Sequence, residues 1–270
     1  MKIPDCPRGH GPMELKRLQK EKTFKGVDIR YRVEAFVCPE CGLEAGTVET
    51  AGGSQRAIAD AYRAKTGLLT GGEIRTLRLA NRLTQQQLAD AMHIGIASIK
   101  RWETGLIQSR SMDHALRMQL QGDTRPDNHT GNREIDLARI KLIAKTLEGI
   151  LGKRLLKVGD KFLFLAKYLW YADMLAFRLI GKGLTGASYA AMPYGPQLNN
   201  YRDLVRPIEN SEEGEAEPLS MQELRILHQV AEKFPKEKDA YDAAHREKVW
   251  QETPTGASIP YSRADELTEI

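Results

Sequence analysis

The sequence has 270 residues, a length that favours two or three domains because most domains contain about 100–200 residues. Hydrophobic residues make up 41% and charged residues 28%, as in ordinary globular proteins, and the formal net charge of +4 permits nucleic-acid contact without indicating it. No apolar run approaches the roughly 18 residues of a membrane span and no signal peptide is visible, so we expect a soluble, cytoplasmic protein without membrane contact.

Two short motifs near the start of the sequence have the spacing of metal ligands. CPRGH at residues 6–10 is followed by CPECG at residues 38–42, and these contain all three cysteines of the chain. An odd number of cysteines does not suit a disulfide framework, whereas thiolates and an imidazole suit a closed tetrahedral Zn2+ site. The ion would be structural, because it stabilises a segment too short to build a core. The predicted ligands are Cys6, His10, Cys38 and Cys41.

The first motif departs from a standard pair of cysteines, because Gly9 stands where the second cysteine would be. We interpret His10 as the fourth ligand, which gives a Cys3His site. The alternative is a degenerate site that has lost zinc or holds it with three thiolates and water. No HExxH spacing is present, so a catalytic zinc is not expected. Residues 27–35 alternate apolar and charged side chains, and this predicts a half-exposed strand.

A helix is predicted over residues 54–65 by its apolar periodicity. We expect Gly67 and the Gly71-Gly72 pair to end this helix before residue 73. The helix would lead from the metal-binding segment to the next domain.

The next predicted feature is a pair of short helices. Thr84 is placed to cap the first helix, and Gln87, three residues on, completes a capping box. A turn follows at residues 93–95, where Gly95 should ease the bend, and the second helix covers residues 96–103. This is the layout of a helix-turn-helix, whose second helix enters the major groove of DNA.

The second of these helices predicts the residues that read DNA. We place Ser98, Lys100 and Arg101 on its outward face, with Arg101 as the best candidate for a bidentate bond to guanine. The alternative for Lys100 is a phosphate contact or a solvated charge. The two apolar residues that open the helix would contact a thymine methyl group, and Gln85 would bond a phosphate. The predicted DNA-binding residues are Gln85, Ile96, Ala97, Ser98, Lys100 and Arg101.

The strings IRTLR, LTQQQLA and IASIKRWETG, in this order, resemble the Xre (lambda-repressor-like) helix-turn-helix family. Together with the cysteine motifs and the helix between them, residues 1 to about 120 resemble the MqsA (YgiT-type) antitoxin family. That resemblance implies a zinc domain that binds a toxin or stabilises the fold. It also implies an Xre domain that dimerises and binds the operator of its own operon.

The second half of the sequence predicts another helical core. Residues 122–133 are polar, contain Gly and Pro, and predict a linker. Residues 135–151 and 161–180 then carry apolar side chains at helical spacing, and the charges within the latter exclude a membrane span. PYGP at residues 193–196 predicts a rigid turn, and a capping box predicts a further helix from about residue 220.

The helix KFLFLAKYLWYAD, the AMPYGP turn and the closing H…W…T…IPY stretch resemble the Panacea (SocA-like) domain over about residues 135–261. The resemblance implies an antitoxin module that neutralises a toxin by direct binding, and related members are thought to act as proteolytic adaptors. No nucleophile, phosphate-binding or metal motif lies in this half, so no enzymatic activity is expected. We interpret Asp173 as a buried structural partner and His245 as a packed residue.

The predicted fold is mainly α. It combines a small β zinc-binding amino-terminal domain, an Xre-type helix-turn-helix bundle in the middle and an α-rich (α+β) Panacea/SocA-like carboxyl-terminal domain. The predicted boundaries are 1–50 for the zinc-binding domain, 51–121 for the DNA-binding and dimerisation domain, 122–134 for the linker and 135–270 for the toxin-neutralising domain.

The predicted function is that of an antitoxin. The chain would bind a toxin encoded by a neighbouring gene and, as a homodimer, repress its own operon on double-stranded operator DNA, because one reading helix covers only a half-site. The alternative is a stand-alone Xre-family regulator whose carboxyl-terminal domain binds a metabolite or acts as a proteolytic adaptor. A third hypothesis, an enzyme with a DNA-targeting domain, has no supporting motif. The residues that bind the toxin are unknown.

Overall fold

The structure is a computed structural model that describes residues 3–122, 128–157 and 162–270. Helices dominate these residues, and a small antiparallel sheet lies near the start of the chain and another in its second half. The predicted class, mainly α with a small β region at the amino terminus, is confirmed. No helix in the described ranges is long and apolar enough to cross a membrane.

The chain divides into two compact units. The first contains Met1–Thr76 and Lys100–Ile107, and the second contains Leu77–Ile99 and Gln108–Ile270. The boundaries of the predicted domains stay a prediction.

The first unit begins with a long β-hairpin. β1 (Glu14–Phe24) pairs with β2 (Val27–Val37) along its whole length through a two-residue turn at Lys25-Gly26. Both turn residues have positive φ, 50° and 74°, as hairpin turns of two residues require. β3 (Glu44–Ala45) pairs with the other edge of β2. The predicted alternation along β2 is confirmed, because its charged side chains are exposed and the apolar ones between them are buried or half-buried.

α1 (Val48–Thr66) packs on β2 and is longer than the helix predicted over 54–65. Gly67 follows it with φ 73°, a left-handed conformation that glycine adopts without steric cost. The Gly71-Gly72 pair was expected to break the helix, but α1 has already ended at Thr66 and the pair begins the next helix. Both glycines lie in the first turn of α2 (Gly71–Ala80), and another backbone segment approaches closely at Gly71.

Three further helices follow in the middle of the chain, α3 (Gln85–Ala91), α4 (Ile96–Thr104) and α5 (Arg110–Gln121). The predicted capping box of α3 is confirmed. Thr84 Oγ1 accepts from the amide of Gln87 at 3.1 Å, and Gln87 Oε1 accepts from the amide of Thr84 at 2.8 Å. Two amides that the helix itself leaves unpaired are thereby satisfied.

The predicted linker is packed in its second part. Residues 123–127 lie outside the described residues. The carbonyl of Asn128 accepts from the amide of Tyr261 at 3.0 Å, and the carbonyl of Gly131 accepts from the amide of Gly183 at 2.8 Å. This part of the predicted linker is therefore hydrogen-bonded to the second unit, and the linker boundaries stay a prediction. Its polar groups take part in hydrogen bonds within the fold.

The centre of the second unit is formed by α6 (Leu137–Leu151) and α7 (Leu165–Ile180). α7 begins later than the helix predicted over 161–180, and residue 161 lies outside the described residues. Every residue from 165 to 176 is buried, so this helix is the middle of a core as predicted. Packed around it are α9 (Met221–Lys233), α10 (Glu237–Arg246), β5 (Gly195–Leu198) and the 3-10 turn at Tyr261–Glu266.

The remaining elements extend from the second sheet to the final strand. The PYGP turn is confirmed, because Pro193 and Tyr194 join two paired strands. The capping box of Ser220 and Glu223 is confirmed as well. The elements are β4 (Tyr189–Met192), β5 (Gly195–Leu198), α8 (Tyr201–Asn210), α9 (Met221–Lys233), α10 (Glu237–Arg246), α11 (Lys248–Gln251) and β6 (Ser258–Ile259), with 3-10 turns at Glu213–Glu215 and Tyr261–Glu266.

Candidate metal centre and nucleic-acid interface

The four predicted metal ligands come together at one end of the hairpin. Their ligand atoms all lie within 4.8 Å of one another. The Sγ atoms of Cys6 and Cys41 are 3.7 Å apart, and Nδ1 of His10 lies 3.7 Å from Sγ of Cys6 and 3.7 Å from Sγ of Cys38. Ligand atoms bound about 2.0–2.3 Å from a tetrahedral ion are themselves about 3.5–3.8 Å apart. The cluster therefore fits one four-coordinate ion, and the thiol sulfurs are too far apart for a disulfide.

Two tight turns hold the ligands in this arrangement. The amide of Gly9 donates to the carbonyl of Cys6 at 2.9 Å, and the amide of Gly42 donates to the carbonyl of Cys38 at 3.0 Å. Both glycines have positive φ, 81° and 66°, where a side chain would add strain. A small apolar cluster that includes Phe36 supports the site. Glycine at position 9, which departs from a standard pair of cysteines, thus forms the turn that brings His10 to the cluster.

Hydrogen bonds prepare one ligand for metal binding. The backbone amide of Cys41 lowers the pKa of Cys38 to about 6, and the Glu40 amide and the His10 ring add smaller effects in the same direction. Together these hydrogen bonds outweigh desolvation, which raises the pKa. At Cys41 the amide of Leu43 acts in the same direction, but burial and the neighbouring sulfur atoms raise the pKa. Metal ions bind thiolate rather than thiol, so the donor set can hold a soft or borderline divalent ion such as Zn2+.

The outer face of α4 presents two adjacent cations. Lys100 and Arg101 are exposed, Ala97 is exposed and Ile96 is half-buried. Gln85 is half-buried at the first position of α3. These five residues therefore present at least part of their surface to solvent, as contact with DNA requires.

Ser98 is not on this face. Its residue is only 2% exposed, so the prediction that it lies on the outward face is wrong. The reason is its spacing. Ser98 lies four residues before Trp102 and next to Ile99, both of which are fully buried as predicted. Residues four apart lie on the same side of a helix, so Ser98 faces the interior with Trp102.

The turn before α4 bends at His93 rather than at Gly95. His93 has φ 53°, whereas Gly95 does not adopt a positive φ, so the expectation that Gly95 eases the turn is wrong. The amides of His93 and Ile94 donate to the carbonyls of Asp90 and Ala89, each at 3.0 Å, and satisfy the last carbonyls of α3.

Asp173 is confirmed as a buried structural partner. It is 0% exposed, and its carboxylate accepts from the amides of Leu184 and Thr185 at 2.6 and 2.9 Å. The hydroxyl groups of Thr185 and Tyr189 donate to its other oxygen at 2.5 and 2.6 Å. Burial raises the pKa of this carboxyl, and the hydrogen bonds oppose that change. Since every bond is internal, the carboxylate holds the loop after α7 in place.

His245 is confirmed as a packed residue. Its ring lies between Tyr241 and Trp250, with centroid distances of 4.2 and 4.8 Å, and its Nδ1 lies 2.7 Å from the carbonyl oxygen of Tyr241. The indole of Trp250 donates to the carbonyl of Met192 at 3.1 Å and so ties α11 to the second sheet. This arrangement holds structural elements together.

Two stretches of the chain match protein-family models. Residues 74–118 match the family described as "Helix-turn-helix", and residues 165–251 match the family described as "Antitoxin SocA-like, Panacea domain". The chain carries an Xre-type helix-turn-helix domain and a SocA-like Panacea domain. No curated protein and no solved structure matches it.

The helix-turn-helix domain covers α3 and α4 with most of α2 and α5, and the Panacea domain runs from α7 to α11. The Xre and Panacea resemblances seen in the sequence are thereby confirmed. Domains of these two kinds are typically non-enzymatic. The resemblance of residues 1–120 to the MqsA family stays a prediction.

Buried charged residues are what the sequence reasoning missed. Arg63, Lys167 and Glu247 are all 0% exposed. Lys167 could have been found, because helical spacing places it within the continuously apolar run of α7. Arg63 gave no such signal, since its partners lie about 40 residues further along the chain.

Proposed function

We propose that this protein is an antitoxin that binds its cognate toxin directly and represses its own operon as a dimer on operator DNA. The observation that carries the proposal is the pairing of an Xre-type helix-turn-helix with an antitoxin-type Panacea domain in one chain. The exposed cations of α4 support the DNA-binding half of this function.

On the operator, Arg101 pairs with a guanine, and Ala97 with Ile96 contacts a thymine methyl group. Gln85 donates to a phosphate and sets the register of the helix, and Lys100 binds a base or a phosphate. Ser98 takes no part in base contact, because it is buried. A dimer places two copies of α4 about one helical turn of DNA apart, ~34–36 Å.

Zinc has a structural role in this proposal. Cys6, His10, Cys38 and Cys41 would supply all four ligands of a tetrahedral ion, and a closed site of this kind would be structural. The bound ion supplies the free energy that holds the two knuckles and the base of the hairpin together.

Neutralisation is assigned to the Panacea domain and requires no chemistry from this chain. Asp173 and His245 are engaged in internal hydrogen bonds and ring packing. Steric occlusion or distortion of the toxin on binding is therefore the mode of action that fits.

A growth-rescue assay tests the proposal. The gene beside this one is expressed alone, with the full chain, and with the full chain carrying Arg101→Ala as a control that removes a DNA contact outside the Panacea domain. Growth arrest by the neighbour and rescue by both forms of the chain are expected. If the neighbouring gene does not arrest growth, the antitoxin function is wrong and a stand-alone Xre regulator replaces it.

A further inference from the structure

Arg63 is a buried cation on α1 that reaches the carboxyl-terminal end of α4. Its side chain is 0% exposed. Nη2 donates to the carbonyl of Trp102 at 2.9 Å and to the carbonyl of Leu106 at 2.5 Å, while Nη1 pairs with Asp60 at 2.7 Å. All of these residues belong to the first compact unit.

The bonds of Arg63 serve the end of a helix that cannot satisfy itself. The last four carbonyl groups of an α-helix lack partners within it, and a cation there also interacts favourably with the helix dipole. A guanidinium has donors in a fixed planar fork, so one side chain can bond several acceptors at once in a single geometry. Arg63 therefore holds the carboxyl-terminal end of α4 at Trp102 and Leu106, in the turn that follows Lys100 and Arg101.

The preceding residue on α1 connects to the metal-bearing hairpin. Tyr62 packs edge-to-face on Phe24 with ring centroids 5.5 Å apart, and it forms one apolar cluster with Ile29 and Leu68. Ile29 belongs to β2, whose far end leads to Cys38. One turn of α1 thus contacts the hairpin through Tyr62 and the end of α4 through Arg63.

A second contact fixes the same end of α4. The amide of Gly71 donates to Asp60, the partner of Arg63, at 3.1 Å. A Cβ added at Gly71 would lie 2.8 Å from the carbonyl oxygen of Glu103 and 2.9 Å from that of Trp102. Glycine is required at this position because the start of α2 passes directly over the last turn of α4.

From these contacts we infer that Arg63 is a positioning residue for DNA recognition, which couples the metal-bearing hairpin to the end of α4. Loss of the metal loosens the hairpin, α1 shifts with it, and the cations of α4 lose the orientation that base contact needs. This inference rests on the proposed function for its DNA partner, but the contacts that carry it do not depend on DNA.

The first test compares Arg63→Met with Lys65→Met. Both remove one positive charge from α1, but Lys65 is exposed. The probes are a duplex of the region upstream of the protein's own gene and a random-sequence duplex of equal length. Arg63→Met should weaken binding to the upstream duplex by about tenfold or more and leave random-sequence binding unchanged. Lys65→Met should leave the ratio of the two affinities unchanged.

The salt dependence separates positioning from direct contact. Each phosphate contact contributes about 0.9 to the slope of log K against log salt. Arg63 is buried away from DNA, so Arg63→Met should leave the slope for random-sequence DNA unaltered. A general loss of folding would abolish binding to both duplexes and release the metal, so metal content is measured alongside.

A second pair of variants covers the case in which Arg63→Met fails to fold. Gly71→Ala disturbs the end of α4 without touching Arg63, whereas a Cβ at the neighbouring Gly72 meets nothing within 4 Å. Gly71→Ala should lower the affinity ratio and Gly72→Ala should not. Equal ratios for these two variants, or for the Arg63 and Lys65 variants, overturn the inference.

Hydrogen exchange gives an outcome that does not depend on DNA. Amides in the last turn of α4 should exchange faster in Arg63→Met, in Gly71→Ala and in the chelator-treated wild type than in the two controls. If the wild type does not bind the upstream duplex but the exchange pattern is as expected, the proposed repressor function is wrong and the coupling still holds. Unchanged exchange after chelation contradicts the coupling itself.

Discussion

Lys100 and Arg101 stand side by side on the exposed face of α4, yet their geometry suits different tasks. A guanidinium presents two parallel donors to a guanine edge, whereas an ammonium is a point charge that binds a phosphate without reading sequence. The proposal therefore assigns most of the sequence discrimination to Arg101.

Replacing Arg101 with Ala should lower the affinity for the operator by about 5- to 150-fold, which corresponds to ~1–3 kcal/mol. Replacing Lys100 with Ala should weaken binding about equally on all sequences if it contacts a phosphate. Affinities for operator and scrambled duplexes at fixed salt check both. The same loss on both duplexes for Arg101→Ala would show that it is not a reader.

Lys167 makes stability depend on pH. It is fully buried in α7, its Nζ donates to the carbonyl of Pro196 at 2.9 Å, and burial lowers its pKa to about 7. In the unfolded chain its pKa is about 10.4, so above pH ~7 the unfolded state binds more protons than the folded state. The free energy of unfolding therefore rises with pH between these two values, and the penalty of burying a charged amine is greatest below the lower one.

The measurement is urea unfolding of wild type and Lys167→Met at pH 7, 8 and 9. The wild type should gain stability relative to the variant by up to about 1.4 kcal/mol per pH unit. Lys182→Met, which removes an exposed lysine just after α7, is the control. The difference in stability between the wild type and this variant should not change with pH. For Lys167→Met, a difference that stays constant over this range would contradict the assigned pKa.

At the scale of elements, the sequence predicted those features that depend on residues close together in the chain. The capping box of Thr84 and Gln87 and that of Ser220 and Glu223 formed as expected, because each depends on residues three apart. Helix α7 was likewise evident from its apolar run. The expectations failed where residues distant in the sequence determine the conformation. At Gly71, for example, the backbone passes close to that of Glu103 in α4.

The candidate metal site was predictable to the residue, whereas the DNA-reading face was predictable only in part. The spacing of the two knuckles named the four candidate ligands, and the fold brings their ligand atoms within 4.8 Å of one another. The reading helix was found, but which of its residues are exposed depends on packing. Ser98 looked suitable by its polarity and proved to be buried.

The metal site should fail in a graded way when its ligands are changed. His10→Ala should weaken zinc binding by more than about tenfold, because each ligand carries a share of the roughly 10–16 kcal/mol that structural sites contribute. His10→Cys should retain zinc, since a thiolate can replace the imidazole in a tetrahedral site. Glu40→Ala, an exposed position between two ligands, is the control.

Zinc content and amide exchange over residues 5–45 provide the measurements. Faster exchange in the metal-depleted variant should be strongest at the two knuckles, where the amides of Gly9 and Gly42 close the turns. Purified wild-type protein without bound zinc, or an unaltered His10→Ala variant, would leave the degenerate site as the correct interpretation.

At the scale of the whole molecule, the helix-turn-helix match and the Panacea match lie in different segments, 74–118 and 165–251. The proposal therefore assigns repression and neutralisation to different parts of the chain. DNA recognition by a dimer adds a geometric requirement that toxin binding does not share. Two half-sites have to face the same side of the duplex, with centres about 10–10.5 base pairs apart. Inserting five base pairs between them rotates one half-site by about half a turn.

Such an insertion should reduce affinity by at least about a hundredfold, because the second reading helix no longer adds its contacts to those of the first. A duplex with five base pairs added outside the half-sites is the control of equal length. Binding curves at fixed salt, with the mass of the complex from ultracentrifugation, make the comparison. If both duplexes bind equally and each complex contains one chain, the protein recognises DNA as a monomer, and repression then depends on a single copy of α4.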